Sequence, residues 1–231
     1  MNKQTGLSLI ELMVAVLISS ILILGVTSLF TDTSNTAQTN TALARVQESG
    51  RLALELIGAD ARRAGYVGCI NTASTQPSPL EMDVDTGSGI ITFPLAAFDF
   101  SSTQLTFRYG IEKDASSTAP ELPPTGTTCP GGRLELREVV YTNCPQGGIE
   151  RICLNGQPML DNAKIDSISL AIPTGSGTEW KEASASFSSD ELKAISMVRV
   201  AITITEQENQ ASSSVTISRS FNGTYHLRNR S

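Results

Sequence analysis

Residues 7–30 read LSLIELMVAVLISSILILGVTSLF, an apolar run whose only charged residue is Glu11. A run of roughly 20 such residues is long enough to cross a hydrocarbon core as a helix. A polar, proline-free stretch follows at 31–40, after which apolar residues recur at Leu43, Val46, Ala53, Leu54, Ile57 and Ala61, a helical spacing. The pattern predicts one helix over 7–64, membrane-embedded at first and amphipathic afterwards, reaching roughly 85 Å at 1.5 Å per residue. Gly50 and Gly58 each cost about 1 kcal/mol relative to alanine and the threonine-rich stretch favours helix only weakly. Kinks, or two separate helices, are therefore the competing expectation. Arg62-Arg63-Ala64-Gly65 supplies end signals, basic residues against the helix dipole and a glycine for the cap.

Beyond Cys69 the pattern changes to short strands separated by glycine, proline, serine and asparagine. Strands are expected at 90–94, 104–109, 133–142, 149–154 and 164–172. The clearest pair is 198–205 with 215–221, two alternating segments that predict an antiparallel hairpin with one buried face. Residues 188–194 read as a short helix capped by serine. The stretches 71–89 and 113–132, rich in Ser, Thr, Pro and Gly, read as surface loops. The expected class is α+β: a long N-terminal helix, membrane-spanning in its first half, packed on an antiparallel β-sheet body.

Composition narrows the partners. A chain of 231 residues has room for one sizeable body plus an appendage. Its net charge of −6 argues against a surface built for nucleic acid, which needs a basic face. Cys69, Cys129, Cys144 and Cys153 form no Cys-x-x-Cys pair, so disulfides in an oxidising compartment fit better than zinc or a redox pair. Three pairings are open. Cys144 and Cys153 flank a glycine-containing turn at 145–149, which favours Cys144–Cys153 with Cys69–Cys129.

Lys3 precedes the apolar run and the next basic residue after it is Arg45, so the positive-inside rule places the amino terminus in the cytoplasm and the body in the periplasm. A secretory signal peptide would have an apolar region of about 7–15 residues closed by a small-residue cleavage site, unlike this one. Glu11 in a membrane helix costs a few kcal/mol unless it is protonated, snorkels or meets a cation. Solvation near the cytoplasmic interface is the plainer alternative.

Lys3-Gln-Thr-Gly6 followed by Leu7-Ser-Leu-Ile-Glu11-Leu resembles the class III leader of type IV pilins: a short basic leader, a glycine, an apolar residue and glutamate five positions into the mature chain. Leu7 stands where phenylalanine is usual. The resemblance implies cleavage between Gly6 and Leu7 by a prepilin peptidase, N-methylation of Leu7, and attraction of Glu11 to the terminal amine of a neighbouring subunit during assembly. Opposite charges in a low-dielectric membrane attract strongly while either alone is costly to bury.

The segment Ala61-Arg-Arg-Ala-Gly-Tyr-Val-Gly-Cys69 resembles the junction after the long helix in minor pilins of the PilW kind. The ending FNGTYHLR, 221–228, resembles theirs as well. The resemblance thus implies a leader at 1–6, a transmembrane polymerisation helix at 7–30, the periplasmic half of that helix at 31–65 and a disulfide-containing, β-rich domain at 66–231. It further implies a minor pilin of a priming or tip complex, working with major and minor pilins, the prepilin peptidase and an inner-membrane assembly platform, and moving from inner membrane to surface pilus. The rival readings are a minor pseudopilin of type II secretion and a membrane-anchored periplasmic binding protein or enzyme.

Catalytic signals are weak. His226 is the only histidine, which leaves nucleophile–base arrangements little to build on. Asp85-Thr86-Gly87 matches the short aspartic-protease tripeptide without a second copy. Asp83, Asp85 and Gly87 suggest a calcium loop, yet its twelfth position is Pro94 where a bidentate glutamate is needed. No phosphate-cradling glycine loop occurs. No cofactor, metal or catalytic residue is expected, and the energy for assembly would come from a separate motor.

Overall fold

In a computed structural model of the chain, the described residues are 9–64, 82–85, 90–93, 98–112, 116, 118, 121–122, 134–209 and 214–227. A 55-residue helix, α1 (Leu9–Arg63), comes first, without a break at Gly50 or Gly58. Ten strands follow: β1 (Met82–Asp85), β2 (Ile90–Phe93), β3 (Phe98–Phe100), β4 (Gln104–Glu112), β5 (Glu121–Leu122), β6 (Leu134–Asn143), β7 (Arg151–Leu154), β8 (Gln157–Asp161), β9 (Ala163–Thr174) and β10 (Gly177–Glu182). A short helix α2 (Ser189–Ala194) leads into β11 (Met197–Asn209) and β12 (Ser214–His226). This is the α+β arrangement of a long apolar helix followed by antiparallel sheets.

The sheets are a β1–β2 pair, a four-stranded sheet in the order β10-β9-β11-β12, and a six-stranded sheet in the order β3-β4-β6-β7-β8 with β5 added on β6. Two expectations need correction. The stretches read as loops at 71–89 and 113–132 contain β1 and β5. Met82-Asp-Val-Asp85 has too little apolar alternation to announce a strand, and its pairing is supplied by β2, with Asp83 opposite Thr92 and Asp85 opposite Ile90. Strands β3, β8 and β10 are also additional. Both β8, which contains Pro158, and the charged β10 lie at sheet edges, where a missing ladder donor and polar side chains are tolerated.

The chain forms two compact units, one comprising Met1–Arg45 with Glu206–Ile217, the other Val46–Thr205 with Ser218–Ser231. The described part of the first holds the apolar helical run, whose Ser and Thr hydroxyls turn back on the helix. Ser19 donates to Ala15 O at 2.7 Å, Thr27 to Ile23 O at 2.8 Å and Thr36 to Asp32 O at 2.8 Å. Such back-bonding satisfies a hydroxyl without water.

The second unit contains the core. The buried face of α1 sets Ala53 and Ala61 around Val46 and Ile57, with Ala64 just past its end. The same core holds large side chains from both sheets: Phe98, Phe107, Tyr109 and Tyr141 from the six-stranded sheet, and Ile165, Ile168, Leu170, Val198, Val200 and Ile202 from the four-stranded one. Small against large is how a helix and a sheet interdigitate at native density. The alternation of β11 buries Val198, Val200, Ile202 and Ile204, the single buried face expected of a half-covered strand.

Polar contacts fix the register of this packing. Asp60 in the last turns of α1 receives hydrogen bonds from two phenols, Tyr109 at 2.7 Å and Tyr141 at 2.6 Å, one on each carboxylate oxygen. The sheets are joined to one another by the amide of Asn143. It donates to Ile165 O at 2.9 Å and accepts from Ile165 N at 2.8 Å, as a neighbouring strand would. Ser188 caps α2, with Glu191 returning the bond to complete a capping box.

Burial pushes Tyr225 up to about 12, and burial together with the hydrogen bond to Asp60 raises Tyr109 and Tyr141 from the ordinary value near 10. A tyrosine raised on folding stays neutral in the native state while the unfolded chain ionises. Its stabilisation is complete below about pH 10 and disappears as pH rises through the folded value. The melting temperature of the detergent-solubilised chain, followed by near-ultraviolet circular dichroism, should therefore fall between about pH 10 and 12, with a shallower fall in Tyr225→Phe. Asp60→Ala at neutral pH leaves two phenols without their acceptor and should cost about 3 kcal/mol in chemical denaturation.

Candidate functional site

A helix that is apolar all round in water has no neighbour to justify it, so its surroundings must be lipid or other helices. α1 is such a helix in its first half. The large apolar side chains between residues 9 and 30 are 52–78% exposed, and α1 is the helix among the described residues long and apolar enough to cross a membrane. Into this surface the sequence places a single carboxylate. Glu11 lies in the first described turn of α1 and is exposed. A cation brought to it in an apolar setting would meet little competition from water.

Gly6 and Leu7, the residues of the expected cleavage and methylation, lie outside the described residues, as do Cys69 and Cys129 and their expected bond. Cys144 and Cys153 form a disulfide with 5.9 Å between their Cα atoms. It braces the hairpin between β6 and β7, where Cys144 N donates to Arg151 O and Gln146 pairs with Ile149. Gly147 and Gly148 both take positive φ, 63° and 80°, a turn conformation that glycine adopts without strain. Arg151 holds the base of the hairpin through Asp161 at 2.6 Å and Gln146 at 2.8 Å. The six-residue tip, 145–150, is exposed. His226 is exposed at the end of β12. Asp83 and Asp85 are strand residues of β1.

The contact between helix and body uses residues that sequence reasoning treated otherwise. Gly50 and Gly58 are not weak points of α1. Each is where an aromatic ring of β12 meets the helix backbone: a Cβ on Gly50 would sit 2.5 Å from the Phe221 ring, and one on Gly58 would overlap the Tyr225 ring. The Tyr225 hydroxyl donates to Leu54 O at 2.6 Å. The available signal was the eight-residue glycine spacing on one helix face together with the alternation Phe221-x-Gly223-x-Tyr225.

Residues 1–27 match the family described as Prokaryotic N-terminal methylation motif. Comparison with curated proteins and with solved structures found no match. The matched segment runs directly into the exposed apolar face of α1 and includes Glu11.

The nine-residue separation of the disulfide gives a small loop-closure term, about 2–3 kcal/mol in the chain-entropy account. Replacing Cys144 and Cys153 together by serine should lower unfolding stability by about that amount while far-ultraviolet circular dichroism stays unchanged.

Proposed function

We propose that this chain, of the type IV pilin and pseudopilin class, is a minor pilin that helps initiate a type IV pilus and is incorporated into it. The observation that carries the reading is the methylation motif at residues 1–27 leading without interruption into a helix whose apolar surface is exposed. Such a segment is at home in a bilayer before assembly and among other helices after it. The role is structural, with the helix as the polymerising part and the body displayed from it.

The sequence resemblances at 61–69 and 221–228 support a PilW-like subunit of the priming or tip complex. Its partners on this reading are major and minor pilins and an inner-membrane assembly platform, with the prepilin peptidase acting on it first. Its body stands in the periplasm until the filament carries it to the surface. Glu11 supplies the negative partner for the methylated amine of a neighbouring subunit, so that subunits enter in register.

Three outcomes test this. Intact mass and amino-terminal sequencing of protein from its native membrane should show loss of residues 1–6 and a methylated Leu7. An intact Met1 in a cell with a working prepilin peptidase refutes the reading. Glu11→Val should leave membrane insertion and cleavage unchanged but remove the subunit from sheared filaments. Deletion of the gene should abolish surface pili and spare export of folded proteins, whereas loss of export with pili intact would instead identify a minor pseudopilin.

A further inference from the structure

Strand β12 meets α1 at two points whose spacings agree. Phe221 lies against Gly50 and Tyr225 against Gly58. Eight helical residues rise about 12 Å, and four strand residues advance about 13 Å. Consecutive inward-facing rings on the strand can therefore land on glycines two turns apart on the helix. Gly223 lies between the two rings, and a Cβ there would overlap the Tyr225 phenol, so the missing side chain leaves room for Tyr225 to reach Leu54 O.

None of these three glycines has a positive φ, and each weakens the element it occupies by roughly 0.5–1 kcal/mol relative to alanine. The two helical ones would also gain by substitution if nothing lay over them. What they share is a ring in the volume that a methyl group would need. The contact thus explains all three, where backbone geometry explains none.

Besides the apolar core, the second unit ties helix residues 46–63 at two points and by different sheets. The six-stranded sheet holds Asp60 through Tyr109 and Tyr141. The four-stranded sheet holds residues 50–58 through β12. In chain order α1 is the first described element and β12 the last, so the Asp60 fastening can form from β4 and β6 before β12 is available.

We propose that β12 is a strap: its closure over residues 50–58 adds two ring contacts and the Tyr225–Leu54 hydrogen bond to a helix segment already packed in the core and tied at Asp60, and only the strapped subunit enters a filament. The filament half rests on the function proposed above, whereas the strap itself does not.

The test is hydrogen exchange on the full chain in detergent, read at residues 46–63 with β4 and β6 as internal reference, in Gly50→Ala, Phe221→Ala and Tyr225→Phe. Exchange at residues 50–58 should rise about fivefold or more in each variant while β4 and β6 keep their protection. Gly50→Ala with Phe221→Ala should be no worse than Phe221→Ala alone, because the clash and the ring are one contact. In cells, Tyr225→Phe should be cleaved and inserted normally yet recovered from sheared filaments at a reduced level.

Unchanged exchange in both Gly50→Ala and Tyr225→Phe overturns the strap, as does exchange that rises equally through β4 and β6. Normal filament incorporation of Tyr225→Phe with raised helix exchange overturns the filament half alone. An uncleaved amino terminus in the wild-type chain overturns that half together with the proposed function, and the exchange measurement still decides the strap.

Discussion

The closeness with which sheet side chains approach the backbone of α1 governs the rest of this fold. A helix faced with leucines would hold the sheets away. Here the buried face is Ala53, Ala61, Ala64 and two glycines around Val46 and Ile57, so the space is filled from the sheet side by aromatic rings. That division of volume puts the phenols of Tyr109, Tyr141 and Tyr225 within reach of polar atoms on the helix. Each ring then contributes apolar burial and a directional bond at once. Register along the helix follows, because a slip of one residue would carry a ring off its glycine and onto a Cβ.

The two units obey different solvent rules. In the second, most large apolar side chains are covered in a packed core, with Asp60 and its phenols matched inside it. In the described part of the first, the large apolar side chains of residues 9–30 are uncovered, and hydroxyls such as those of Ser19 and Thr27 are matched within the helix itself. α1 contributes residues to both units, the boundary falling between Arg45 and Val46. The sequence marks this only gradually, through the polar stretch at 31–40.

Much of the architecture was legible because it rests on period. The 3.6-residue recurrence at Val46, Ala53, Ile57 and Ala61 led to the helix, and the two-residue alternation of 198–205 to β11. The capped helix at 188–194 was visible from its serine cap. Strands without such a period were missed: β10, GTEWKE, is charged and at an edge, while β1 depends on β2 for its pairing. Gly50 and Gly58 were misjudged for a related reason. Local propensity counts what a residue lacks, and the ring that fills the space lies more than 150 residues away. Asp60 likewise carries no local signal in the sequence, since its two phenol donors come from separate strands. The leader motif, by contrast, is a contiguous signal and needs no fold to be read.

The amide of Asn143 joins the sheets by offering one donor and one acceptor to the backbone of a single residue, Ile165. It imitates a strand without being one, so the sheets need not share a twist at the seam. The arrangement also makes this link depend on the identity of one atom, while Ala163 N to Glu150 O at 3.2 Å gives a second contact beside it. Aspartate has the same shape, but where the amide nitrogen donates to Ile165 O it would present a second acceptor, and attraction would become repulsion. Hydrolysis of that one side chain would break this link without altering the volume of the core.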